Sequence, residues 1–452
     1  ETETIVESGV CGAEGDNLKY TLDSNGLLTI SGTGDMESYS FNDQPWSLLK
    51  NDIKKVKIED CATSIGDCVF WGCNSLTEIK IPDGVTAIGD RAFCECKSLK
   101  EITIPDSVTS IGNLAFESCE KLTEITIPDS VTSISSYAFS KCTALSKITI
   151  PDGVTAIEDG VFSYCKSLEE ITIPDNVTSI GVNAFNECLA LSKVTLPDNV
   201  TSIGIGAFKS CTSLTEIIIP DSVTSIEDST FSHCSSLTNV TIPDTITRIG
   251  DFAFYDCGLL NEITIPDGVT SIGESAFYGC KTPTKITIPD SVTSIGDGAF
   301  ESCVKLTDIT IPESVTSIGN GTFSWCSSLE KITIPDSVTS IGESAFYYCT
   351  SLKNITIPDS VTSIGINAFY SCDVLNKITI PASVKSIGKN AFDGCNELTE
   401  ITICNPNCTI LGDSRTIPEQ AIIYGYKDST AEKYAKEFDR KFKVIEATTS
   451  TA

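Results

Sequence analysis

Fifteen of the 21 cysteines stand at a constant spacing of 23 residues, running from Cys73, Cys96 and Cys119 without a skip to Cys372 and Cys395. Thiols in such a column could ligate a metal, form disulfides or serve as nucleophiles. If residues 23 apart are neighbours in stacked coils, their Cα atoms lie ~4.8 Å apart. That is within disulfide range, but parallel side chains keep the Cβ atoms nearly as far apart, where ~3.8 Å is wanted. Nor does a straight column converge tetrahedrally on zinc. The column is therefore expected to be buried and reduced, each cysteine acting as a small apolar residue. Six cysteines fall off this register: Cys11, Cys61, Cys68, Cys94, Cys404 and Cys408. Cys404 and Cys408 are near enough in sequence to pair, and the spacing chooses no state for the others.

The one histidine, His233, follows Phe231 by two residues and reads as an exposed turn position. A serine or cysteine nucleophile with a histidine base would have to be built through it. Paired carboxylates for glycoside hydrolysis have many acids to draw on. These acids recur at equivalent positions, however, whereas catalysis needs one constellation unlike its neighbours. The expectation is a chain that is not an enzyme and holds no cofactor. A second acidic column follows a repeated proline, from Asp83, Asp106, Asp129 and Asp152 to Asp290, then Glu313, Asp336 and Asp359. It reads either as turn hydrogen bonding to nearby amides or as weak Ca²⁺ binding, with Asp83, Asp106, Asp129 and Asp152 as candidate ligands.

Binding candidates come from two further columns. The middle site of a recurring I-x-I is Thr in thirteen of sixteen coils, with Lys57, Lys80 and Ile218 as exceptions. Beside it run charges that include Glu124, Lys147, Glu170, Lys193 and Lys331. A threonine ladder could suggest ice binding, but the adjacent charges spoil a flat apolar surface, and Thr is in any case a good strand residue. Past a column of phenylalanines sit Trp71, Tyr164, Tyr255, Tyr278, Trp325, Tyr347, Tyr348 and Tyr370. Scattered single aromatics need no function. Clustered on an acidic surface, they could stack on sugar rings or anchor a protein, and Tyr347-Tyr348 is the place to look.

All these columns are one pattern. A unit reads C-x-x-L-x-x-I-x-I-P-D-x-V-T-S-I-G-x-x-A-F-x-x-C, and sixteen coils run from Ile53 to Leu398, with only Pro283 interrupting the Leu column. L-x-x-I-x-I predicts a short strand ended by Pro, which cannot donate to a ladder. V-T-S-I predicts a second extended segment, and G-x-x-A-F-x-x-C a helical or 3₁₀ turn that closes the coil. Ordering 23 residues costs more than the apolar burial of one coil returns, so the coils must stack and share their faces.

The period, I-P-x-x-V-T-S-I-G and A-F-x-x-C resemble the BspA-like leucine-rich repeats over nearly the whole chain. The resemblance implies a repeat solenoid with a parallel β-sheet on its concave face. It also implies a surface or secreted protein of a host-associated bacterium, used in adhesion. The asparagine ladder of leucine-rich repeats is absent, and Pro, Thr, Ser and Cys take its place.

The ends break the period. Residues 1–52 form an N-terminal β cap, with a hairpin turning at Asp23-Ser24-Asn25-Gly26 and Pro45-Trp46 at its exit. The solenoid covers 53–411. In 412–446 a last strand at Ile422-Ile423-Tyr424 precedes a helix, Thr430 to Phe438, boxed by Ser429 and Glu432, with Phe442, Val444 and Ile445 as a lid. Residues 447–452 are a Thr-rich tail. Met36 is the only methionine and Glu1 opens the chain, so a longer precursor is expected, of which a removed signal peptide is one explanation.

A net charge of -30 with pI near 4.3 argues against nucleic acid, and no apolar run is long enough to span a bilayer. The expected partner is a host extracellular protein or glycan bound by a monomer, without a membrane span in this chain. Asn176, Asn199, Asn239, Asn354 and Asn407 begin N-x-S/T triplets that matter only in a source that glycosylates. The function expected is noncatalytic adhesion through an extended repetitive face. Alternatives are a carbohydrate-binding surface module, or a structural stalk without a ligand.

Overall fold

In most coils a strand forms where a buried Ile or Val is flanked by two outward residues. The computed structural model describes residues 4–59 and 62–445, so the tail at 447–452 lies outside the described residues. The chain divides into two units, Glu1–Val223 with His233–Ser235, and Thr224–Ser232 with Ser236–Ala452.

In the first unit, β1 (Ile5–Gly12), β2 (Gly15–Asp23) and β3 (Leu27–Gly32) form an antiparallel meander. Asp23 makes the β2–β3 turn: its Oδ1 accepts from the amides of Asn25 at 2.8 Å and Leu27 at 2.9 Å. Strand β3 then pairs in parallel with Lys55–Ile58, setting Leu28 beside Val56 and Ile30 beside Ile58. The hairpin thus enters the sheet as though it were a coil. Parallel triplets follow at Glu78–Lys80, Glu101–Thr103, Glu124–Thr126, Lys147–Thr149, Glu170–Thr172 and Lys193–Thr195, completing ten strands. Each triplet buries its centre and exposes both flanks, as Ile125 does between Glu124 and Thr126. The strand stops one residue short of the expected bound. The Ile before Pro is buried but unladdered, because Pro has no amide to continue the pairing. The second column is the Ser-Ile doublet, Ser110–Ile111 pairing with Ala87–Ile88 and with Ser133–Ile134.

The closing turn is neither α nor 3₁₀ helix. In Gly112 to Cys119 the amides of Leu114, Phe116 and Ser118 donate to Ser136, Ala138 and Ser140 of the next coil at 3.0, 2.8 and 2.8 Å. Those of Ala115, Glu117 and Cys119 turn back to Gly112, Leu114 and Phe116 at 3.3, 3.0 and 3.2 Å. A helix would keep every amide inside the coil; here alternate amides leave it. That alternation needs left-handed residues, at Leu114 (φ 56°) and Ser118 (φ 59°), and at the equivalent residues of other coils. Each such non-glycine residue costs about 1 kcal/mol or more, and the bonds to the next coil offset it.

Beneath the turns the phenylalanines stack. Ring centroids from Phe70 to Phe208 in the first unit lie 5.2–6.0 Å apart. From Phe231 to Phe392 in the second unit they lie 5.2–5.8 Å apart. Trp46 begins the first stack, 6.1 Å from Phe70, and donates its indole N–H to the Val69 carbonyl. Tyr20 meets Trp46 edge-on at 5.0 Å, so aromatic rings of the N-terminal region cover Phe70, the first ring of the column.

The second unit carries parallel strands at Ile263–Thr264, Lys285–Thr287, Asp308–Thr310 and Lys331–Thr333, and again at Lys377–Ile380, Glu400–Ile403, Ile422–Gly425 and Phe442–Val444. Between these two sets the ladder lapses: Asn354 makes a single bridge to Lys331. Helix α1 (Thr430–Glu437) begins as the spacing implies. Ser429 Oγ accepts from the Glu432 amide at 3.2 Å, and Glu432 Oε2 accepts from the Asp428 amide at 2.6 Å. The expected lid is a strand, Phe442–Val444, laddered onto Ile422–Gly425. Among the described residues no helix is long and apolar enough to cross a membrane.

Phe116 is fully buried and stacked at 5.3 Å on both Phe93 and Phe139. Phe116→Ala is predicted to cost about 3–5 kcal/mol, read as a lower guanidinium midpoint; Phe116→Leu costs less.

Candidate functional site

The cysteine column is buried from Cys73 to Cys395, and its thiols are in no disulfide. All but Cys73 also do something the sequence does not advertise. The Sγ of Cys119 donates to the Phe93 carbonyl of the preceding coil at 3.3 Å, and the same bond recurs from Cys96 to Phe70 and from Cys395 to Phe369. The Phe116 carbonyl accepts from both the Cys119 amide and the Cys142 thiol, so both its lone pairs are used. The thiols are therefore small apolar residues that also satisfy a buried oxygen. Cys11, Cys68, Cys94 and Cys408 are buried and free, and Cys404 is free and half-exposed. Cys61 lies outside the described residues.

The acids divide into two kinds. Asp83, Asp106, Asp129 and Asp152 are exposed, and among the described residues their carboxylates accept no hydrogen bond, so turn bonding does not explain them. No three metal-ligating side chains converge among the described residues. The turn is instead tied by its next residue: Ser107 Oγ donates to the Val85 carbonyl at 2.6 Å, and Asn176 Nδ2 to the Asp152 carbonyl at 2.8 Å. A different acidic column, two residues after the Ile of V-T-S-I and following Gly in most coils, forms a ladder. Asp67 Oδ1 accepts from the Asp90 amide at 2.7 Å, Asp90 Oδ1 from the Asn113 amide at 2.7 Å, and in the second unit Asp228 Oδ1 from the Asp251 amide at 2.9 Å. This takes the part of an asparagine ladder. The recurrence of I-G-D was its signal.

On the strand face Glu124 pairs in register with Lys147, and Glu170 with Lys193, all exposed. Lys331 lies beside Asp308 in the second unit. Three open grooves of that unit lie on the strand face. One, of about 480 Å³, is lined by Glu262, Asp267 and Lys285; another, of about 450 Å³, by Asp359, Lys377 and Cys404. The third, of about 350 Å³, is lined by Glu330, Lys331 and Asn354. The last two flank Ile355 and Thr356, where the ladder lapses.

Six of the eight aromatic candidates form stacks, because residues 23 apart share a position. Tyr255 and Tyr278 stack at 4.5 Å. Trp325 lies flat on Tyr348 at 4.2 Å and Tyr347 on Tyr370 at 4.9 Å, with Tyr347 and Tyr348 4.7 Å apart. Trp71 stands apart, with Lys50 Nζ 4.0 Å over its ring and Phe41 edge-on at 5.0 Å. Tyr164 and His233 are exposed on left-handed turn residues, with φ of 63° and 60°.

A family model described as the BspA type leucine rich repeat region matches residues 47–169, 155–282, 202–329, 247–372 and 316–415. A leucine-rich repeat protein from Bacteroides ovatus is 32% identical, with 95% of this chain and 99% of that one covered, at a TM-score of 0.70. A leucine rich cell surface protein from Faecalibacterium prausnitzii is 30% identical over 89% of this chain and 95% of that one, at a TM-score of 0.44. The pneumococcal vaccine antigen PcpA is 17% identical over 98% and 99%, also at 0.44. None of the curated proteins matches. Stacked coils on a 23-residue period, laddered by parallel strands, define a leucine-rich-repeat solenoid. The chain belongs to the BspA-type leucine-rich-repeat family.

Burial pushes the Cys165, Cys234 and Cys303 thiols from an ordinary 9.0 up to about 12. Below pH 9 they are protonated folded or unfolded, and stability is complete. As pH rises towards 12 the unfolded chain ionises and the folded one does not, so each thiol removes about 1.4 kcal/mol per pH unit. Guanidinium midpoints are predicted to fall steeply above about pH 9, and Cys165→Ala with Cys303→Ala to flatten the slope.

Proposed function

We propose that the chain is a noncatalytic binding protein of the cell surface or secreted fraction of a host-associated bacterium, adhering through the outward strand positions. The observation that carries this is the coincidence of grooves and charges. The three grooves of about 350–480 Å³ open on the strand face, where Glu262, Lys285, Lys331 and Lys377 present their heads. Membership of the BspA-type family supports the reading. So does the repetition of acid, base and threonine from coil to coil, since many weak equivalent contacts on one scaffold reinforce one another. The partner is a host extracellular protein or glycan, and the chemistry is reversible polar contact. Repetition also speaks against catalysis, which needs one unlike constellation. The Ca²⁺ reading of Asp83, Asp106, Asp129 and Asp152 is left with exposed carboxylates alone.

The test swaps the paired charges of the first unit, with Glu124→Lys, Lys147→Glu, Glu170→Lys and Lys193→Glu, and removes two lysine heads of the second, with Lys331→Ala beside Asp308 and Lys377→Ala beside Glu400. Beads coated with the native chain are predicted to bind a cultured epithelial monolayer, more weakly as salt rises. The combined variant should bind about tenfold less with an unchanged circular dichroism spectrum. Equal binding by the variant would remove the strand face from the account, and no binding by the native chain would leave the stalk reading in its place.

A further inference from the structure

In the second unit the residue after the column Phe reads, from Phe254 to Phe369, Tyr255, Tyr278, Glu301, Ser324, Tyr347 and Tyr370. The next residue reads Asp256, Gly279, Ser302, Trp325, Tyr348 and Ser371. Two aromatic stacks are therefore separated by a stretch where the side chains shrink. Trp325 stands at one margin of that gap and is 44% exposed. One face of its indole lies on Tyr348 at 4.2 Å and 9°. Its ring contacts are all with the following coil. In the preceding coil the equivalent residue is Ser302, and before that Gly279, so no ring covers the second face.

Glu301 occupies the floor of the gap. Its Oε1 accepts from Ser324 Oγ at 3.3 Å, and Ser324 is itself 3% exposed. A Cβ added at Gly298 or at Gly321 would each come within 3.4 Å of Oε2, so the carboxylate lies low against glycine backbone. Among the described residues no cation pairs with it, and burial raises its pKa. The pKa of the Tyr255 phenol on the far margin is pushed up by burial, then by Tyr278, Asp256 and Glu301. Beneath, the coils step by 5.6 Å from Phe277 to Phe300 and 5.8 Å from Phe300 to Phe323. Two such steps exceed the two contacts of ~3.5–4.0 Å that a flat ring makes with walls on either side.

We propose that Trp325 and Glu301 form a subsite for a single neutral pyranose ring. The C–H face of the sugar lies on the uncovered indole face, while Glu301 accepts from two ring hydroxyls with Ser302 and the Tyr278 phenol at the rim. A half-buried carboxylate on a chain of net charge -30 repels uronic, sulfated and sialylated sugars, so the ligand is uncharged. An onium ion would need ring faces on several sides; here the tyrosines turn their faces to one another. The subsite lies off the strand face and extends the proposed binding role to a second surface.

The experiment titrates the full chain with cellotetraose, β-1,4-galactotetraose, chitotetraose and α-1,6-mannotetraose by calorimetry and tryptophan fluorescence, with tetramethylammonium as a competitor. At least one oligosaccharide is expected to bind and to shift the emission of Trp325. Affinity should fall about tenfold in Trp325→Ala, a loss equal to one ring-stacking contact, and measurably in Glu301→Gln, which keeps the side-chain shape. Trp71→Ala should bind as the native chain does, and the circular dichroism of all variants should match. No binding at about 10 mM of every oligosaccharide, well above the range in which a built site of millimolar Kd would respond, overturns the subsite. So does binding indifferent to both substitutions, or displacement by tetramethylammonium. Bead adhesion measured on the same Trp325→Ala protein separates the two readings: adhesion kept with no sugar response removes the subsite and leaves the strand-face reading intact.

Discussion

In each unit the amides of alternate residues along the Phe-bearing turn donate to the following coil, as Phe116 does to Ala138 and Phe277 to Ala299, both at 2.8 Å. These bonds fix the separation of the coils on the side where no strand can. Much else follows from that separation. The phenylalanines must stack, the residue before them is small, and two residues of each turn must adopt left-handed backbone. The cysteine thiol finds the one lone pair that the turn leaves unused on the Phe carbonyl of the coil before. No single coil has any of these partners, so a lone repeat is not stable and a stack of them is.

The same spacing copies surface chemistry. A threonine, a lysine or an aspartate placed once is placed at every step, and its neighbours are its own equivalents. Exposed ion pairs such as Lys55–Glu78 at 2.6 Å add little stability, so the alternation of Glu124, Lys147, Glu170 and Lys193 matters less for folding than for what it shows to solvent. Function in such a scaffold has two sources: the sum of many equal contacts, and the few coils where the repetition is broken. Asn354, where the ladder lapses, and the small residues between Tyr278 and Trp325 are breaks of the second kind.

The stacking, the capping box at Ser429 and Glu432, the buried cysteines and the hairpin turn at Asp23 were legible from spacing, because each rests on local chemistry repeated at a fixed period. The closing turn was not. Bonds from residue i to i−3 within G-x-x-A-F-x-x-C look helical in sequence, and only the second coil reveals that every other amide goes elsewhere. The ladder through Asp67 and Asp90 escaped because an acid after Gly reads as surface, although I-G-D recurs. The aromatics were legible as residues but not as stacks: Tyr255 and Tyr278 are one period apart, and that fact alone places one ring upon the other. Nothing in the sequence sets Glu301 apart from the other acids, since its low position depends on Gly298, Gly321 and Ser324 from its own and the following coil.

Turn amides, no less than strand amides, hold one coil to the next. Native-state hydrogen exchange resolved by residue tests it in the first unit. The amides of Phe116, Phe139 and Phe162 are expected to exchange as slowly as those of Ile125 and Ile148 in the strands, and to open together with them. Turn amides exchanging near the unprotected rate while the strands stay closed would contradict it, and would return the stability of the stack to the sheet alone.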